Sequence, residues 1–300
     1  MKKRKLAKAT HELASAYRVK GGAKFRLQDF DPGDTNGMKS KEHAQEMLKE
    51  STEKLCDLQE KLYAQNQWAL LVIFQAMDAA GKDGAIKHVM SGVNPQGCDV
   101  HAFKAPGPEE LSHEYLWRAH KYAPERGKIG IFNRSYYEEV LVVRVHEGVL
   151  ENQRIPEELI SKDIWEQRYK DMNAFEKYLT RNGIVVVKFF LHLSKAEQKK
   201  RFLERLEDSA KNWKFSMADV KERGYWKDYM NAYDEMIRNT ATENAPWYVV
   251  PADNKWFTRL VVASAIIDRL RKLDLQFPDV DAEKKKELKK VQDSLLASNN

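Results

Sequence analysis

Reading the sequence for side chains that can do chemistry leads first to Lys82. It ends a small-residue turn in Leu70-Leu71-Val72-Ile73-Phe74-Gln75-Ala76-Met77-Asp78-Ala79-Ala80-Gly81-Lys82-Asp83-Gly84. An apolar run of strand length breaks into a loop, and a helix-capable stretch follows. Small residues let consecutive backbone N–H groups turn toward one anion, and the start of a helix adds its positive end. Lys82 adds a mobile ammonium, so the chemistry implied is the cradling of phosphate by Ala79, Ala80, Gly81, Lys82, Asp83 and Gly84. The match to G-x-x-x-x-G-K-[ST] is imperfect: Ala76 stands for the first glycine, and Asp83 for the Ser/Thr that meets Mg²⁺. Asp83 is expected to face away or to join the ion's water shell.

Ile129-Gly130-Ile131-Phe132-Asn133-Arg134-Ser135-Tyr136-Tyr137-Glu138 is the second constellation. Ligands of open α/β sheets sit outside the C-terminal ends of strands, which would put Asn133 and the loop after Phe74 on one edge. Asn133 is suited to a metal ion, directly or through water, and Arg134 to bidentate phosphate binding. An ordinary helix cap after a strand is the plain alternative for Asn133-Arg134-Ser135.

A third group runs from Lys199-Lys200-Arg201 through Arg205 to Lys211-Asn212-Trp213-Lys214-Phe215-Ser216. Arg201 and Arg205 share a helical face. With Lys211 and Lys214 they have the makings of a lid, over about 200–217, whose charges converge on a phosphate chain as water leaves. The competing reading is a solvated charged helix with Glu204, Glu207 and Asp208 as neighbours. Lys104 and Arg118 either extend the cationic track or are ordinary surface charges. Trp226, Tyr229 and Tyr233 lie at helical spacing, the signature of core packing, and no side chain plainly reads a base.

The elements that must position these groups alternate. Candidate strands are Trp68–Gln75, Cys98–Phe103, Ile129–Asn133, Ile184–Leu191 and Trp247–Val250, each separated from the next by helical sequence. That order predicts an α/β fold with a mainly parallel sheet and helices on both faces. Residues 1–38 read as a loop-rich arm, because Gly21-Gly22, Asp31-Pro32-Gly33-Asp34 and Asn36-Gly37 are turn signals. Residues 39–275 read as one domain, opened by an amphipathic helix from Lys39 to Gln65. Pro156–Asn182 reads as a long helix or a broken pair with Ile160, Ile164, Trp165, Met172, Phe175 and Leu179 facing the core. Residues 276–300 read as a charged helix or tail.

Composition narrows the classes. The 300 residues carry a formal charge of +6 and are 42% hydrophobic, which suits a sizeable core and a polyanionic partner. Cys56 and Cys98 are the two cysteines, too far apart in sequence for a close-spaced zinc pair, and no disulfide scaffold is suggested. The basic start lacks a following apolar stretch, and no apolar run reaches the roughly 18 residues that span a bilayer. A soluble, cytoplasmic protein is expected.

Taken together, Met77-Asp78-Ala79-Ala80-Gly81-Lys82-Asp83-Gly84, Asn133-Arg134-Ser135-Tyr136-Tyr137, Lys211-Asn212-Trp213-Lys214-Phe215-Ser216 and Ala245-Pro246-Trp247 resemble the polyphosphate kinase 2 family in content, order and spacing, over roughly Gly21 to Leu273. The resemblance implies a P-loop kinase-like three-layer α/β sandwich with a helical lid. It also implies Mg²⁺-dependent, reversible phosphoryl transfer between inorganic polyphosphate and nucleotides. Many members carry Asp where this chain has Asn133. The Asn-Arg-Ser-Tyr-Tyr-Glu form resembles the family's third class, associated with phosphorylating both AMP and ADP. The catalytic set on this reading is Asp78, Lys82, Asn133 and Arg134. Asp78 and Asn133 are the metal ligands, and Glu138 either restores the missing negative charge or pairs with Arg134. Adenine nucleotides are the implied acceptors, with guanine left open. No nucleic-acid or membrane partner is implied, and a dimer or tetramer is. Two rivals remain: an ATP-dependent nucleoside monophosphate kinase, and a non-catalytic polyanion- or RNA-binding module with a degenerate loop.

Overall fold

In the computed structural model, which describes residues 3–19, 21–209, 212 and 215–298, the first half of the chain runs α1 (Lys3–Tyr17), α2 (Lys41–Gln65), β1 (Ala69–Gln75), α3 (Lys82–Val89), β2 (Cys98–Ala102), α4 (Trp117–Lys121), β3 (Ile129–Asn133), α5 (Val142–Val145) and α6 (Glu147–Glu151). The second half runs α7 (Ile164–Arg181), β4 (Ile184–His192), α8 (Lys195–Glu207), α9 (Met217–Gly224), α10 (Trp226–Thr240), β5 (Trp247–Pro251), α11 (Lys255–Arg271) and α12 (Ala282–Ala297). All five strands fall where the apolar runs predicted them. They form one sheet in the order β2-β3-β1-β4-β5, and every pairing is parallel.

Strand side chains alternate between two cores. Leu70, Val72 and Phe74 of β1 pack with α2, α3 and α11 on one face, and Leu71 and Ile73 pack with α7 and α10 on the other. Because β1 is buried on both faces, its sequence is a continuous apolar run rather than an alternating one. Each such side chain contributes about 1.5–3 kcal/mol when buried, enough to offset local strain of about 1–3 kcal/mol at a functional turn.

The chain departs from the sequence reading in two places. Residues 3–17 of the arm are helical, and Leu13, Ala14 and Tyr17 pack into the core beside α11. Apolar side chains there are sparse and set among lysines and alanines, so the later Gly21-Gly22 turn dominated the pattern. The Pro156–Asn182 stretch is the broken pair: a short 3₁₀ turn at Glu157–Leu159 precedes α7, and Ile160 lies 37% exposed between them rather than in the core. No helix among the described residues is long and apolar enough to cross a membrane. Cys56 and Cys98 are free thiols.

Candidate functional site

The turn between β1 and α3 is built from strain and from tied-back carbonyls. Ala79 and Gly81 adopt left-handed backbone angles, φ 63° and 99°; the second suits glycine and the first is uncommon for a residue with a Cβ. Six successive carbonyls, from Ala76 to Gly81, accept hydrogen bonds from within the protein. Ala76 O takes Lys82 Nζ at 3.0 Å, Asp78 O takes Gln198 Nε2 at 3.0 Å, and Ala79 O and Ala80 O take Arg201 Nη1 at 3.0 and 3.1 Å. Met77 O takes Ala80 N at 3.3 Å, and Gly81 O takes Ala85 N at 2.9 Å. With the carbonyls drawn away, the N–H edge of the loop is left for an anion. The first-turn amides of Lys82, Asp83 and Gly84, which no helix can satisfy internally, extend that edge.

β3 lies beside β1 with Phe74 opposite Asn133, so the two strand ends predicted to share an edge do so. Arg134 N donates to Phe74 O at 3.0 Å, and Arg134 takes a left-handed φ of 63°. The guanidinium thereby reaches across the loop, where Nη2 donates to Asp78 Oδ1 at 3.0 Å. Asn133 Nδ2 donates to Asp83 Oδ1 at 2.7 Å. Asp83 therefore faces the cleft rather than away from it. Asp78, Lys82, Asp83, Asn133 and Arg134 border one cleft of about 690 Å³, with Lys104, Arg205 and Lys255 on its rim.

Charges in this cleft are only partly compensated. Burial, and then the Arg134 charge, holds the Lys82 ammonium below the usual lysine range. Its one hydrogen bond goes to a carbonyl, and among the described residues no carboxylate comes within ion-pair distance of it. Arg134 is pushed up by Glu138 and then by Asp78, against the cost of burial. A cavity of about 550 Å³ between the arm and α10 is also rich in charge. There, however, Arg26 pairs with Asp29 at 3.1 Å and Arg238 pairs with Asp234. Both of its arginines are paired with carboxylates, whereas Lys82 at the loop is not, which makes the cleft at the loop the candidate anion site.

Several expected roles change. Arg201 is not a free lid cation. Its side chain is buried, and all five N–H donors are used: Nε on Glu197 at 2.9 Å, Nη1 on the loop, and Nη2 on Ala252 O and Asp253 O at 2.7 and 2.9 Å. It borders the same cleft, with its donors spent on fixing the shape of the loop. Arg118 is neither track nor surface charge; buried over the Phe103 ring, it donates to Lys104 O at 2.8 Å and braces that wall of the cleft. Glu138 accepts from Gln75 Nε2 at 2.9 Å, which ties it to the end of β1 rather than to Asp78 and Asn133. Its effect on Arg134 is electrostatic. Arg205 does face the cleft, 3.8 Å from Asp219. Lys211, Trp213 and Lys214 lie outside the described residues. Tyr229 and Tyr233 are core residues, as their spacing implied.

Sequence reasoning missed Lys255, Gln198 and a buried pair beneath the Arg134 turn. Lys255 follows the end of β5, and the strand-end rule that found Asn133 would have found it too. Lys188, in β4, is wholly buried and gives its three donors to Glu176 Oε2 at 2.6 Å, Tyr137 OH at 2.9 Å and Thr240 O at 2.8 Å. Both Tyr136 and Tyr137 donate to Glu176 Oε1 at 2.7 Å, so the segment after Arg134 is pinned to the core.

Comparison with known proteins agrees with this geometry. Residues 38–278 match the family model described as polyphosphate kinase 2. The chain is 50% identical over 281 residues, 93% of its length and 97% of the relative's, to a Rhodopseudomonas palustris protein named ADP-polyphosphate phosphotransferase. It is 43% identical over 271 residues, 90% of its length and 97% of the relative's, to a Meiothermus ruber protein named AMP/ADP-polyphosphate phosphotransferase. The crystal structure of polyphosphate kinase 2 from Arthrobacter aurescens TC1 superposes with a TM-score of 0.83 at 42% identity, covering 92% of this chain and 95% of that one.

Proposed function

The chain belongs to the polyphosphate kinase 2 family, and from that premise we propose that it transfers phosphoryl groups reversibly between inorganic polyphosphate and AMP or ADP at the cleft around Lys82. The observation that carries this assignment is the loop itself, with six carbonyls drawn back and a lysine that has no carboxylate partner among the described residues.

Phosphoryl transfer asks a protein for alignment and charge neutralisation rather than covalent work. The loop amides and Lys82 hold phosphate oxygens at the transfer site. Arg134, released from Asp78 as the anions enter, closes on them from β3. Arg205 and Lys255 on the rim neutralise the more distant charges. Without these cations the two anionic reactants would repel one another.

The oxygen donors suit magnesium. Asp78 and Asp83 offer two carboxylates at the cleft, and no cluster of three or more metal-ligating acidic, histidine or cysteine side chains occurs among the described residues. Mg²⁺ commonly binds through one or two carboxylates, with substrate phosphates and water completing its shell. Asp78 and Asn133 would hold it, with Asp83 facing the same cleft, and when bound it would neutralise charge on the phosphates. Asp78→Asn should raise the Mg²⁺ requirement, and an unchanged Mg²⁺ profile would remove Asp78 from that site.

A donor test decides the function. The protein is given AMP or ADP with polyphosphate, and separately with ATP. Phosphorylation supported by polyphosphate is expected; phosphorylation supported by ATP alone would identify a nucleoside monophosphate kinase, and no turnover with either a binding module.

A further inference from the structure

We propose that the arm turn Asp31–Asp34, which lies outside the residues matched by the family model, is a strut that sets the shape of the phosphate loop through Arg201. The turn is self-braced: Gly33 N donates to Asp31 Oδ1 and Asn36 N to Asp34 Oδ1, each at 2.8 Å. The Tyr17 hydroxyl fastens it to α1 by donating to Asp34 Oδ2 at 2.6 Å. Two of its carbonyls then hold the turn between β5 and α11. Pro32 O accepts from Asp253 N at 3.1 Å, and Gly33 O accepts from Asn254 Nδ2 at 3.2 Å.

The next link is rigid. Ala252 O and Asp253 O receive Arg201 Nη2, while Nη1 of the same guanidinium receives the loop carbonyls of Ala79 and Ala80. A guanidinium is planar and its donors keep a fixed fork. Where the β5–α11 turn sits therefore decides where Ala79 and Ala80 sit. Tyr17, Asp34 and Asn254 are positioning residues on this account, acting on the loop without touching a substrate.

The inference rests on reading the loop as the transfer site, and its test separates the two. Asn254→Asp removes the amide donor at nearly constant volume, and Tyr17→Phe removes the hydroxyl while keeping the ring in the core. Both are compared with wild type by hydrogen exchange of peptides covering 76–84 and by polyphosphate-dependent turnover, after matched melting curves show them folded. Loop exchange should quicken about fivefold, the equivalent of one hydrogen bond. The kcat should fall about three- to tenfold for sub-ångström misplacement of a catalytic loop, with the nucleotide KM unchanged. Exchange and kcat equal to wild type in both folded variants would overturn the strut. If wild type itself shows no turnover, the functional reading fails, and the exchange comparison still judges the strut.

Discussion

Lys82 and Lys188 are both held below the usual lysine range by burial, Lys188 wholly enclosed and Lys82 part-buried at the cleft, yet the protein uses them in opposite ways. Lys188 is sealed in the core with Glu176, and every one of its donors is used. Its charge is consumed in joining β4, α7 and the tyrosines after Arg134. Lys82 reaches only a carbonyl, and beyond that its charge is left open to the cleft. The first cation is paired into the fold; the second is the one proposed to meet an anion. The arginines divide by how many of their donors are used. Arg201 is saturated by Glu197 and four backbone carbonyls, whereas the Arg134 guanidinium gives one hydrogen bond, to Asp78, and keeps its other donors for the cleft.

The contrast is broken most directly by exchanging the lysines for alanine. Lys82→Ala should lower polyphosphate-dependent turnover by about 10³-fold, in the range of losing one preorganised charge stabiliser, while leaving the melting temperature unchanged. Lys188→Ala should do the reverse. Leaving Glu176 buried without its partner costs about 3–5 kcal/mol, read as a lowered midpoint in denaturant unfolding. Should Lys82→Ala unfold the protein and Lys188→Ala leave it intact, the assignment of roles is inverted.

Arg201→Lys sharpens the comparison. An ammonium has three donors and no fork, so it cannot serve five acceptors. Turnover should drop about 10- to 100-fold through a displaced loop, with a smaller loss in thermal stability. A turnover defect equal to that of Lys82→Ala, with normal loop exchange, would return Arg201 to the role of direct phosphate ligand.

The smallest effect concerns pH. Lys82 loses its proton at a lower pH in the folded protein than the ordinary 10.5. In the window below 10.5 the folded state binds fewer protons than the unfolded one, so the contribution of this group to stability increases as pH rises. Phosphate binding moves the other way, since it needs the ammonium. The KM for polyphosphate should therefore climb on the alkaline side while the melting temperature does not fall on account of this group. Lys82→Arg should move the alkaline limb to higher pH; an unmoved limb would assign it to another group.

Four of the five strands were legible because they are buried on both faces and read as apolar runs, whereas β2 is an edge strand with Asp99, Val100 and Ala102 exposed. The meeting of Asn133, Arg134 and the loop was legible because strand ends in such a sheet share an edge. What stayed hidden depends on contacts distant in the chain. Whether the Arg201 guanidinium faces a lid or four backbone carbonyls is decided by the β5–α11 turn, some fifty residues later. Lys188 carried a signal, a lysine inside the apolar run of β4, but its partner comes from a neighbouring helix that sequence spacing does not orient. The helix α1 was obscured because its few core side chains sit among lysines and alanines.

The central claim is that the cation left open, rather than the ones already paired, receives the phosphates. It is tested most directly by a crystal structure of the protein with Mg²⁺ and tripolyphosphate. The account predicts phosphate oxygens within hydrogen-bond distance of Lys82 Nζ and of the amides from Gly81 to Gly84, with Arg134 turned from Asp78 onto the chain. Tripolyphosphate seated instead between Arg26 and Arg238, with the Lys82 loop bare, would contradict it.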